Sequence, residues 1–237
     1  MIKVFKIAEQ PITKTGIDLN AALDSPPRIF DAEQNAATEL RRYFERGELP
    51  FFIVHASKNR LAWKFEPVAA DFKKWLPIFI DGLKERTKQL RFIAENGCIE
   101  MIKKAGEMLP ELIPAITLPA ALALRTRDVP TMRVTVKILT LMLKGHPRVA
   151  EEMLPYINRI LRPLFLVILK DSPDDLSVAV NDMLSLIEDR GGDNSVACIK
   201  YSIPIFDGQV NGYDGSIPLV KIPPSAKEVK RLPPKYR

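Results

Sequence analysis

Between residues 72 and 190 apolar side chains recur every three or four positions with only brief interruptions, a spacing that stacked α-helices satisfy and strands do not. The pattern divides into blocks at about 72–85, 89–105, 109–126, 130–145, 148–170 and 174–190. The breaks fall at residues that stop helices: Gly106, Gly145-His146-Pro147, Asp171 to Pro173 and Arg190-Gly191-Gly192, with Asn96-Gly97 within or between turns. The block 130–145, VPTMRVTVKILTLMLK, is apolar around most of its circumference, as a helix held between two layers would be. The expected fold class is all-α.

An internal echo refines that expectation. Glu107-Met108-Leu109-Pro110 recurs as Glu152-Met153-Leu154-Pro155, 45 residues later, and Trp75-Leu76-Pro77 places a third proline 33 residues before Pro110. Each proline is read at a helix start, where the N–H it lacks would have had no intrahelical partner. Offsets of this size resemble the unit lengths of HEAT and armadillo repeats, whose stacked helix pairs bury a continuous core as a solenoid.

The flanks differ from this body. Residues 1–30 hold Pro11, Gly16, Pro26 and Pro27 among scattered apolar residues and read as an extended arm. A helix is expected from an Asp31 cap to about Arg46, stopped by Gly47. PFFIVHA and LAWKF, joined by SKNR, predict a β-hairpin over about 51–65. The helical domain is thus 31–204, and 205–237 is an extended tail in which Pro223-Pro224 and Pro233-Pro234 alternate with cations.

Charge is unevenly distributed. The chain carries +6, yet Lys221, Lys227, Lys230, Arg231, Lys235 and Arg237 face only Glu228 in the tail, so everything before residue 217 is close to neutral. Within the body, 125–148 sums to +5 through Arg125, Arg127, Arg133, Lys137, Lys144 and Arg148 against Asp128, whereas 171–193 sums to −6. Arg125, Arg127, Arg133 and the six tail cations are therefore the candidate contacts for an acidic partner.

Little else points to chemistry. No phosphate-binding loop, dinucleotide turn, nucleophile elbow or zinc helix is present, and His55 and His146 have no visible triad partner. No catalytic residue, cofactor or metal is expected. Two distant cysteines, Cys98 and Cys198, fit a reduced intracellular compartment. The first residues give no signal peptide, and no continuous apolar run reaches the ~20 residues of a membrane span. A soluble adaptor for a chaperone or trafficking complex is an alternative. So is a helical-repeat enzyme acting on nucleic acid, with Asp128 among its cations as the reacting carboxylate.

YFERGELP (Tyr43 to Pro50), LAWK (Leu61 to Lys64), WLPIFIDGL (Trp75 to Leu83), the helices opening at Leu109 and Leu154, and GGDNSVACIKYSIP (Gly191 to Pro204) occur in one order along the chain. In that order and spacing they resemble the parkin co-regulated protein family of cilia and flagella. The resemblance implies an armadillo/HEAT-like fold and a non-enzymatic, microtubule-associated role at the inner junction of axonemal doublets, joining B-tubule to A-tubule tubulin. It implies α/β-tubulin, a small β-rich junction protein and other axonemal proteins as partners, with neither nucleic acid nor membrane. It also implies residence in the cytoplasm and cytoskeleton, at the axoneme. Typical members end soon after the segment matching Ile203-Pro204, whereas this chain continues for 33 residues.

Overall fold

The computed structural model describes residues 38–54, 60–168, 175–204 and 206. The first helix among the described residues, α1 (Glu39–Glu45), opens where the Thr38 hydroxyl accepts a hydrogen bond from the Arg41 amide at 3.1 Å. It closes at Gly47, whose φ of 69° lets the amides of Gly47 and Glu48 bond back to the carbonyls of Phe44 and Tyr43. The expected cap, Asp31, lies outside the described residues. Strands β1 (Phe51–Val54) and β2 (Arg60–Trp63) pair antiparallel with Phe51 opposite Trp63 and Val54 opposite Arg60. Arg60 thus belongs to the strand rather than to the turn, and His55 lies outside the described residues.

Among the described residues eight further α-helices follow: α2 (Ala69–Asp81), α3 (Lys88–Ala105), α4 (Leu109–Arg125), α5 (Val129–Gly145), α6 (Arg148–Met153), α7 (Ile157–Ile168), α8 (Asp175–Arg190) and α9 (Ser195–Ser202). Alternate helices lie side by side. One layer is α2, α4, α7 and α9, with α6 leading into α7, and the other is α3, α5 and α8. The described residues are mostly helical, as the periodicity predicts, with one small two-stranded antiparallel sheet.

Several expectations change in detail. Pro77 sits inside α2 rather than at its start, because α2 begins at Ala69, where the Asp71 carboxylate accepts from the Val68 amide at 2.9 Å. Gly97 lies within α3 and is no turn; a Cβ there would overlap the buried ring of Phe79, so glycine lets α2 and α3 approach closely. The 148–170 block is broken by a 3-10 turn, Leu154–Tyr156, centred on Pro155, and α9 was not anticipated. The prolines inside described helices, Pro77, Pro114, Pro119 and Pro163, all fall in the α2–α4–α7 layer. Each removes one N–H from its helix ladder.

The core runs continuously between the layers. α4 is its centre, with Leu112, Ile113, Ile116 and Leu124 fully buried, each contributing about 1.5–3 kcal/mol of transfer free energy. The stretch Lys88–Arg125 also contains a window apolar enough by length and composition to cross a membrane, although its apolar residues are not continuous. It comprises two helices, α3 and α4, separated by a 3-10 turn at Gly106–Met108, and 56% of the window is buried in the fold. Helix α5 packs against α3, α4 and α8 while keeping Arg133, Lys137 and Lys144 exposed, so its apolar circumference is covered on all sides but one.

Candidate functional site

The turn between α2 and α3 and the turn between α4 and α5 lie together at one end of the molecule, tied by Arg91 in the first turn of α3. Its Nε donates to the Glu85 carbonyl at 3.2 Å, and its Nη2 donates to Asp128 Oδ2 at 3.2 Å and to Thr131 Oγ1 at 3.0 Å. Asp128 also caps α5, accepting from the Thr131 amide at 3.1 Å. Next to this clamp the buried Glu85 carboxylate accepts from the Thr38 hydroxyl and from Nε and Nη2 of Arg41. Burial by itself would raise the pKa of Glu85. The hydrogen bonds from Arg41 and Thr38 and the guanidinium charge outweigh that and hold the carboxyl below its ordinary range.

Each carboxylate at this end therefore has a cation of its own: Glu85 has Arg41, Asp128 has Arg91, and Asp81 has Lys84 at 2.6 Å. Around them stand Arg86 and Lys88 from one turn and Arg125 and Arg127 from the other. Arg86, Lys88 and Arg125 are exposed and Arg127 is half-buried. Arg127 is also the one non-glycine residue with positive φ among the described residues, at 55°; the others are Gly47, Gly106 and Gly192. A left-handed backbone just past a helix end is glycine's usual position.

The candidate residues read from sequence divide accordingly. Arg125 and Arg127 sit in this end, and Arg133 stands further along α5, with Asp175 of α8 at 3.9 Å. The basic stretch 125–148 is not one surface. Lys137 pairs with Glu95 at 2.7 Å, and Lys144 and Arg148 emerge at the far end of α5, roughly 25 Å away at 1.5 Å per residue. Lys221, Lys227, Lys230, Arg231, Lys235 and Arg237 lie outside the described residues. Arg86 and Lys88 escaped notice because no local signal places them beside residues forty positions later.

Other groups have structural occupations. Asp128 is held as a cap and ion-pair partner. His146 Nδ1 accepts from the Arg148 amide at 3.2 Å, and its Nε2 lies 2.9 Å from Glu107. Cys98 and Cys198 are buried free thiols, and burial pushes both pKa values up, away from the reactive thiolate. No group of three metal-ligating side chains occurs among the described residues. A cleft of about 310 Å³ between α1, the hairpin and Ile93 is lined chiefly by apolar residues, with Lys64 bonded to the Gly47 carbonyl at its edge.

The sequence model of the parkin co-regulated protein family matches residues 38–208. The chain belongs to the parkin co-regulated protein family. It is also 30% identical over 203 residues, 79% of this chain and 84% of the relative, to the mouse parkin coregulated gene protein homolog. The family match begins at the Thr38 cap and takes in every helix from α1 to α9, and with them both turns of the basic end. The cationic tail from residue 217 lies beyond it.

Proposed function

We propose that this family member is a non-enzymatic structural protein of the axonemal doublet inner junction, binding tubulin of the A- and B-tubules alongside a small β-rich junction protein. The observation that carries the reading is the basic end, where Arg86, Lys88, Arg125 and Arg127 of two adjoining turns gather beside carboxylates that each have a cation of their own. Tubulin surfaces are acidic, so a body of small net charge that concentrates its cations on one end and in its tail has a matching partner there. The alternation of helices between two layers supports an armadillo/HEAT-like solenoid as the scaffold, with the 45-residue echo falling at the entries to α4 and α7, which are neighbours in one layer.

Localisation tests this directly. A tagged chain expressed in ciliated cells is expected along the axonemal doublets and in the cytoskeletal fraction. An even cytosolic distribution would favour the alternative of a soluble adaptor for a chaperone or trafficking complex.

A further inference from the structure

Helix α8 closes its layer of the stack. It packs on α5, α6, α7 and α9, and no further helix follows it in that layer among the described residues. Its exposed residues are Asp175, Val178, Asp182, Ser185 and Asp189. They follow one another at alternating steps of three and four, so they form a single stripe along the outward face. Arg133 approaches Asp175 only at 3.9 Å, and no cation of the described residues pairs with Asp182 or Asp189. Arg190, the one cation of α8, is turned away from the stripe, its guanidinium donating to the Leu143 carbonyl of α5 at 2.6 Å. Val178, 52% exposed, sets an apolar contact between the first two carboxylates.

The chain carries a segment of matching charge and spacing. Phe206, the last described residue, packs against the core just past α9, which itself contacts α8. Residues 207–226 can extend over roughly 65 Å, well beyond the roughly 24 Å length of α8. After them Lys227, Arg231 and Lys235 recur every four residues, with Val229 and Leu232 between them and Pro223-Pro224 and Pro233-Pro234 in the same stretch. Four residues of polyproline-type backbone span about 12 Å. Asp175, Asp182 and Asp189 stand seven residues apart, about 10 Å at the helical rise.

We propose that the basic C-terminal segment seats on the α8 stripe of its own chain, with Lys227, Arg231 and Lys235 in register with Asp175, Asp182 and Asp189 and the apolar side chains between them against Val178. The seat relieves the repulsion among like charges on one helix face. It also means that an acidic partner has to compete with α8 for the tail cations. The proposal goes beyond the junction reading and does not depend on it.

The test uses the full chain with a fluorophore on Ser225→Cys, the native cysteines Cys98 and Cys198 being buried. At low salt its fluorescence anisotropy is expected well above that of a labelled 217–237 peptide. D175N/D182N/D189N loses at least half of that excess, as does the unsubstituted labelled chain in about 1 M salt, where the screening length falls to about 3 Å. K227Q/R231Q/K235Q, which leaves α8 untouched, loses it likewise, separating a lost seat from a damaged fold. E100Q/E107Q/E152Q, neutralising three carboxylates elsewhere on the body, keeps the excess. Anisotropy equal to that of the peptide overturns the proposal, as does an excess that survives either triple neutralisation of the seat. Energy transfer between donor- and acceptor-labelled copies that rises with concentration also overturns it, because the occupant is then the tail of a second copy.

Discussion

The two ends of the helical stack are built from the same helix-turn-helix joints yet distribute charge in opposite ways. At one end Glu85, Asp128 and Asp81 are each matched by a cation, and Arg86, Lys88, Arg125 and Arg127 stand in the same two turns. At the other, Lys103 pairs with Glu100, Lys104 with Glu66, Arg148 with Glu152, and His146 approaches Glu107, while Glu188, Asp189 and Asp193 add acid. Depth differs too: Glu85 is 5% exposed and Glu107 94%. The left-handed helix stop is Arg127 at the first end and Gly106 at the second. The lesson is that architecture fixes where turns meet, and the depth and pairing of the carboxylates inside them set the two ends apart.

Replacing the two glutamates tests that contrast most severely. Glu85→Gln is expected to cost about 2–3 kcal/mol in urea denaturation, the low side of what breaking a buried ion pair costs because Arg41 remains 35% exposed. Glu107→Gln, in the exposed pair, changes stability by less than about 0.5 kcal/mol. Equal costs would break the comparison. The pH dependence follows from the same group. Its folded pKa lies below the unfolded value, so its stabilisation is fully present above the ordinary carboxylate range and is lost as pH falls through the depressed pKa. The difference in stability between wild type and Glu85→Gln should therefore narrow in acid and stay constant from mildly acidic to neutral pH.

A smaller effect is expected at the clamp. Asp128→Ala removes the α5 cap and one bond of Arg91 together, a loss of about 1–2 kcal/mol by thermal or chemical melting. A loss under about 0.3 kcal/mol would mean that the two turns are held by packing alone. Modest changes of opposite sign come from exchanging the helix stops. Gly106→Arg should destabilise by about 1 kcal/mol, because it puts a side chain on a positive-φ backbone, whereas Arg127→Gly should be neutral or stabilising by up to about 1 kcal/mol.

The contrast between the ends also marks how far the sequence can be read. Helical spacing is a local property, so α2 to α8 were visible within a few residues, and Gly47 was recognisable as a stop because a left-handed cap is a local device. Gly97 was ambiguous because its reason, the Phe79 ring, belongs to a different helix. Pro77 resembled a helix start until Asp71 and Val68 were seen to open α2 earlier. The 148–170 block hid a break at Pro155 because its apolar spacing continues through the 3-10 turn. At the site, Arg125 and Arg127 stood out as part of a charged stretch. That stretch does not form one surface, since a helix carries its two ends to opposite poles. Arg86 and Lys88 became visible only when Arg91 joined their turn to Asp128.

Microtubule co-sedimentation across a salt series, comparing wild type with R86E/K88E/R125E/R127E and with K103E/K104E/K144E/R148E, tests the central claim most directly. The account predicts that wild type and the second variant pellet with microtubules at moderate salt while the first stays in the supernatant. Failure of the wild type to pellet, alone or with the proposed β-rich junction protein, or identical pelleting of all three, would contradict it.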